Sequence, residues 1–241
     1  MSAHREDPAA QTLTVQGTEV PKLGYGTWQV TGREAIEGVQ DALGLGYRHI
    51  DTARMYDNER EVGEGLKAAG VDRAEIFLTT KIWTGDFAPD RLIAAAEDSL
   101  RQLQVDYLDL LLLHWPNPEI PLAEPIGAMA ELQDRGLIRH LGVSNFPSAL
   151  VEEALQHGPV FANQVELHPY LGQPALLAQA REHDLLLEAY SPFAHGRLLD
   201  DPVLAEIGEA HGKSAGQVAL RWLLDQPQVC ALPKASSHGR R

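Results

Sequence analysis

The sequence predicts an α/β fold in which a parallel sheet closes on itself as a (β/α)8 TIM barrel behind an N-terminal β-hairpin. Three observations lead there. Eight short leucine-rich or β-branched runs, at 22–26, 48–52, 76–82, 107–115, 138–144, 161–166, 185–190 and 229–233, are apolar on both faces. Strands that lie between a core and covering helices require that pattern. Amphipathic stretches near 33–45, 59–69, 89–103, 122–135, 148–156, 174–183 and 214–225 fill the intervals, giving the strand–helix alternation of parallel units. The length, 241 residues, is what one such barrel occupies. An open doubly wound sheet is the competing arrangement.

Along the chain, two short alternating runs between 12 and 20 flank Gly17 and read as a hairpin ahead of the first barrel strand. Thr31 with Glu34, and Ser214 with Gln217, have the spacing of capping boxes, which start helices by pairing orphan N–H groups. Asp201 before Pro202 starts a further helix that ends near His211 and Gly212, an insert in the loop after the seventh strand. No helical stretch follows the eighth run, so the barrel's last helix and the C-terminal tail are expected to be missing and an apolar flank to be exposed. No linker or low-complexity tract interrupts residues 1–241, which are expected to form a single domain.

Composition excludes several function classes. A formal net charge of −14 argues against a nucleic-acid partner, which a basic stripe must hold. No apolar run approaches the length of a bilayer span, and the first eleven residues are polar. A cytoplasmic protein without membrane contact is expected. Cys230 is the one cysteine, so there is no internal disulfide and no cysteine metal cluster, and no metal is expected. Placed inside a strand, it reads as a buried inert thiol. The glycines at 44 and 46, and at 63 and 65, do not open a helix after a strand. They therefore give no support to a dinucleotide-binding Gly-rich turn.

In a barrel of this type the chemistry sits at the C-terminal ends of the strands. There the sequence places Asp51, Tyr56, Lys81 and His114. A phenol is a poor acid at neutral pH unless a cation favours its anion, and Lys81 can supply one. A buried ammonium needs a counter-charge, for which Asp51 is the candidate, and His114 can orient a substrate oxygen. Together they describe a site that delivers a proton beside a small oxyanion pocket. Taken singly, Asp51 and Lys81 also read as an ordinary buried ion pair, Tyr56 as a surface tyrosine, and His114 as a histidine capping its strand. His168 is assigned to structure.

Set in HIDTARMYDNE, LTTKIW and LLLLHWP, this quartet resembles the tetrad of the aldo-keto reductase family. The likeness continues in order through GYGTWQV, GVSNF, NQVELHPY, LEAYSP and LPKASS, over roughly residues 10–241. On its short loops the chain resembles the bacterial diketogluconate-reductase branch. The resemblance implies a barrel that binds NAD(P)H across its strand ends and reversibly reduces aldehydes or ketones. It makes Tyr56 the general acid, Lys81 and Asp51 its tuning pair, and His114 the donor that orients the carbonyl. Histidine rather than glutamate at 114 points to carbonyl reduction.

By the same resemblance Thr27, Ser144, Asn145 and Gln164 bind the cofactor, the last three at its carboxamide. Tyr190 stacks on the nicotinamide, with Ser191 and Pro192 along the pyrophosphate. Lys234, Ser236 and Arg240 fall where a 2′-phosphate is held, which favours NADPH and leaves NADH possible. Trp28, Trp83 and Trp115, with Tyr25, match the aromatic walls of a substrate pocket. The expected partner is a small-molecule carbonyl substrate, and the protein is expected to be a monomer. The 234–240 cluster also reads as a basic tail at a frayed end. Two other functions stay open: a nicotinamide-binding regulatory or inactive truncated barrel, and an unrelated phosphate-handling barrel enzyme, which would leave the quartet unexplained.

Overall fold

Each apolar run becomes a strand because it is enclosed on both sides. The computed structural model describes residues 10–235 and 237–241. The hairpin pairs β1 (Thr12–Val15) with β2 (Thr18–Pro21) in antiparallel register. Gly17 lies between them at φ +79°, a region a side chain disfavours. The chain then runs β3 (Tyr25–Gly26), α1 (Gly32–Gly44), β4 (His49–Asp51), α2 (Glu59–Ala69), β5 (Phe77–Ile82) and α3 (Pro89–Leu103). It continues with β6 (Leu108–Leu113), α4 (Ala123–Asp134), β7 (Ile138–Ser144), α5 (Ser148–Leu155), β8 (Val160–Glu166) and α6 (Pro174–Glu182). β9 (Leu186–Tyr190), α7 (Pro202–His211), α8 (Ala215–Leu224) and β10 (Val229–Leu232) complete it.

The strands from β3 to β10 are neighbours in chain order and pair in parallel. The ends meet as well: Gly24 N–H donates to Ala231 O at 2.9 Å and Ala231 N–H to Lys22 O at 2.8 Å. The predicted barrel is therefore closed, and the open sheet is set aside. At this seam a Cβ on Gly24 would stand 2.6 Å from a Leu232 methyl, so the two strands meet where the side chain is absent.

The core has two parts. A large cluster joins the outward strand faces to the helices, as Leu78, Leu111, Val143 and Leu187 meet Val39, Leu100, Met129 and Leu223. A smaller one fills the barrel's N-terminal mouth, where Val15 and Val20 of the hairpin plug against Phe77, Leu110, Phe161 and Leu186. The hairpin thus seals the end opposite the strand C-termini. Asp201 caps α7 by accepting the Leu204 N–H, and the Ser214–Gln217 capping box of α8 is formed. The Thr31–Glu34 box is not: Thr31 makes no side-chain cap. Gly32, at φ +56°, turns the chain just inside the helix start and takes the Thr31 hydroxyl off the N–H groups it would cap.

Beyond β10 the described chain makes one 3-10 turn, His238–Arg240. Arg241 Nε donates to Asp41 Oδ2 at 2.5 Å, His238 Nδ1 lies 2.6 Å from Asp41 Oδ1, and the Tyr47 hydroxyl donates to Arg241 O at 3.1 Å. This polar segment lies against α1.

One buried charge at the sealed end carries a stability prediction. Asp109, 3% exposed, accepts from Arg73 at 2.7 Å, Arg139 at 2.9 Å and the Leu78 N–H at 3.0 Å. Both guanidiniums flank the Tyr107 ring, at 4.1 and 4.2 Å from its centre. Asp109→Ala strands the Leu78 N–H and removes the counter-charge of both guanidiniums, although Arg73 keeps Ile76 O and Tyr107 O as acceptors, and it is expected to cost about 3 kcal/mol. The lowered midpoint of a urea melt would show it, with turnover per folded molecule unchanged.

Candidate active site

The strand C-termini surround a cleft of about 740 Å³, within the range of small-molecule sites. Parallel strands in register bring the sequence-predicted quartet to it. Asp51 ends β4, Lys81 lies near the end of β5, and His114 follows β6. Tyr56 closes a 3-10 turn that re-enters from the loop after β4. Lys81 is wholly buried and its ammonium is fully engaged. It donates to Asp51 Oδ2 at 2.8 Å, to Thr52 O at 2.7 Å and to the Tyr56 hydroxyl at 3.3 Å. An ammonium has three N–H bonds, so no donor is left over.

The electrostatics follow from that contact. Burial works against the Lys81 cation, but Asp51 and Tyr56 prevail and its pKa rises to about 12. Burial pushes the Asp51 carboxyl up, with Lys81 pulling against it. For Tyr56 the sequence expectation was a phenol made more acidic by Lys81. Instead burial outweighs Lys81 and the pKa is raised, so the phenol holds its proton at neutral pH.

His114 is 8% exposed and its ring meets Tyr56 edge-on at 5.9 Å and Trp83 at 5.3 Å. Its Nδ1 has no partner among the described residues. Burial, with Lys81 nearby, lowers its pKa to about 3, so the ring is a neutral imidazole. This has a consequence for stability. Between about pH 3 and the unfolded value near 6.5 the unfolded chain binds one more proton at this site than the folded chain. Stability is therefore expected to fall by up to about 1.4 kcal/mol per unit as pH drops through that window. Urea melts at pH 6 and pH 4.5 should show a smaller loss in His114→Phe than in the wild type.

Beside the quartet, Ser144 donates to Gln164 O at 2.9 Å. Asn145, at φ +62°, donates to His114 O at 3.1 Å and to Ser144 Oγ at 3.0 Å. It accepts from the Tyr190 hydroxyl at 2.8 Å, which fixes that ring at the end of β9. Ser191, at φ +49°, and Pro192 line the cleft beyond it, as does the exposed Lys234. Trp28, Trp83 and Trp115 form walls, with Trp28 and Trp115 about half exposed.

Not every sequence-predicted residue reaches the cleft. Tyr25 is buried with its hydroxyl against Gly38 of α1, because it faces outward from β3 into the helix layer. Thr27 is buried too, its hydroxyl donating to Asp51 O at 3.0 Å, so it fastens the loop rather than offering a contact. Ser236 and the side chain of Arg240 lie outside the described residues.

The sequence reading also missed residues. Met55, Phe193, His195 and Leu199 line the cleft, carried by loops that no periodicity marks. Glu188 and His49 lie buried behind the quartet, 3.2 Å apart. A charged residue inside the apolar run LLLEAY was the available signal, since a buried charge needs a partner.

Comparison with known proteins fits this geometry. The sequence model of the Aldo/keto reductase family matches residues 22–240. Glyoxal reductase of Bacillus subtilis (strain 168) is 44% identical over 227 residues, covering 93% of this chain and 82% of that protein. Methylglyoxal reductase DkgA of Escherichia coli (strain K12) is 41% identical over 229 residues, 93% and 82% of the two chains. A crystal structure described as a putative 2,5-diketo-D-gluconic acid reductase B superposes with a TM-score of 0.93 at 45% identity, over 95% of this chain and 82% of that one. The chain belongs to the aldo/keto reductase family, and with it to the NAD(P)H-dependent oxidoreductases that reduce carbonyl groups.

Proposed function

We propose that this cleft reduces a small aldehyde or dicarbonyl, with NADPH as the cofactor and Tyr56 as the proton donor. One observation carries the reading: the Lys81 ammonium donates to the Tyr56 oxygen at 3.3 Å while the phenol keeps its own proton. With an oxygen lone pair occupied by Lys81, the phenol's O–H is directed to the cleft.

The residues fit a nicotinamide cofactor. The Tyr190 ring, pinned by Asn145, offers an aromatic face to a planar ring. Ser144, Asn145 and Gln164 cluster beside it, the hydroxyl and amide groups that would hold a carboxamide. Ser191 and Pro192 would lie along the pyrophosphate. The preference for NADPH rests on the Lys234 cation at the cleft and on the basic residues after it, of which Arg241 is already paired with Asp41. Bound NADPH supplies a hydride to the carbonyl carbon.

The protein supplies the rest. Trp28, Trp83 and Trp115 offer apolar walls to the substrate, and the neutral His114 donates an N–H to its oxygen without competing for the proton. Tyr56 gives its proton to that oxygen, and the phenolate left behind is stabilised by the Lys81 ammonium, which Asp51 keeps charged. The similarity to a glyoxal reductase and a methylglyoxal reductase favours short dicarbonyls.

Absorbance of the reduced nicotinamide tests this directly. Purified protein is mixed with NADPH or NADH and with glyoxal, methylglyoxal or an aromatic aldehyde. Steady consumption, faster with NADPH, is expected. Folded protein that binds the cofactor and consumes none of it would overturn the proposal.

A further inference from the structure

Behind the quartet lies a second polar layer that the proton step does not use. Gln164 and Glu188 are register partners on β8 and β9, and Glu188 is 0% exposed. The Gln164 amide donates at 2.8 Å to Glu188 Oε2 and at 2.8 Å to Asp51 Oδ1. Both N–H bonds are thereby engaged inside the barrel. The flipped amide would turn its carbonyl oxygen onto two carboxylates, so the chemistry of the neighbours fixes the orientation. Glu188 is held in turn on its other oxygen, by His49 Nε2 at 3.2 Å and the Thr79 hydroxyl at 3.5 Å. The His49 ring is seated by Pro21 O at 3.4 Å from Nδ1 and by an edge-on contact with Phe77 at 5.0 Å. His49, Glu188 and Cys230 bring ligand atoms within 4.8 Å of one another, but both Glu188 oxygens already have partners, so the cluster reads as a bracing network rather than a metal centre.

We propose that Glu188, braced by His49, is a positioning residue for cofactor binding. By holding the Gln164 amide nitrogen, it leaves the Gln164 carbonyl oxygen as the group presented to the cofactor's carboxamide. The inference rests on the reading that Gln164 contacts the nicotinamide end of the cofactor. It adds that the contact is only as good as the carboxylate behind it. Without Glu188 the amide keeps one anchor, Asp51, and is free to rotate.

A double-mutant cycle on NADPH affinity, read by quenching of tryptophan fluorescence, separates this from a general structural role. Glu188→Leu and Gln164→Ala are each expected to raise the Kd about tenfold. The double variant should lie within about twofold of Gln164→Ala alone. Glu188→Gln, which keeps an acceptor oxygen at the same reach, should restore the Kd to within about threefold of wild type. At saturating NADPH, kcat should stay within about threefold while the KM for NADPH rises. Should Glu188→Leu not fold, Glu188→Asp serves, since it keeps the charge but withdraws the acceptor from Gln164. A further tenfold loss on adding the Glu188 change to Gln164→Ala would overturn the inference and leave the cofactor reading standing. An unchanged Kd in Gln164→Ala would overturn both.

Discussion

Tyr56→Phe is expected to lower kcat by about 10³-fold while the Kd for NADPH stays within about twofold of wild type. The size follows from what is removed: a positioned general acid contributes on the order of 10²–10⁴. Here the phenol carries a proton at neutral pH and sits within reach of the Lys81 cation able to stabilise its anion. His114 is a poor substitute, because its pKa near 3 leaves it neutral and its single N–H is the one proposed to orient the carbonyl. The substitution removes an oxygen and keeps the ring, so the edge-on contact with His114 and the cation contact at 4.9 Å from Lys81 survive. Single-turnover measurement with prebound NADPH isolates the chemical step. A folded Tyr56→Phe protein with near-normal kcat sinks the assignment.

Much of this was legible in the sequence, for physical reasons that differ from place to place. The barrel strands were readable because burial on both faces leaves no polar alternation, as LDLLLL at 108–113 displays. The helix start at Ser214 was readable because its cap is local chemistry, three residues wide. The Thr31 box failed for the same reason: one glycine with positive φ changed the local geometry. The quartet could be placed because strand ends are where a parallel barrel opens. The direction of the Tyr56 shift could not, since it depends on a balance between burial and Lys81 that no spacing encodes. Tyr25 and Thr27 show the limit at single-residue scale. They flank Gly26, which does line the cleft, yet both turn their side chains away from it. Glu188 was passed over because an apolar run invites the eye to treat its one charge as an exception.

Lys81→Met should produce the second large effect, in stability as well as turnover. Methionine fills much of the lysine's volume but removes the cation that opposes burial at Asp51. The carboxyl then keeps only the Gln164 N–H among its side-chain donors in a site 4% exposed. Losing one partner of a buried pair costs about 3–5 kcal/mol. The pH dependence gives the cause. Burial already raises the Asp51 pKa in the wild type, and without Lys81 it rises further, so the folded variant binds a proton that the unfolded chain has released. That proton's stabilising contribution is fully present below the unfolded value of about 3.9 and is lost as pH climbs through the folded one. The deficit of Lys81→Met relative to wild type should therefore be largest at pH 7 and shrink towards pH 4. A packing defect would give a deficit that does not vary with pH. Asp51→Asn is the complementary change: it leaves Lys81 without its main counter-charge, and burial then lowers the ammonium's pKa. Turnover in Lys81→Met should fall by about 10²-fold or more, since the Tyr56 anion would form beside a thioether instead of a cation. Full turnover in a folded Lys81→Met protein would mean that the phenol does not need the cation, and that the 3.3 Å contact between them is structural alone.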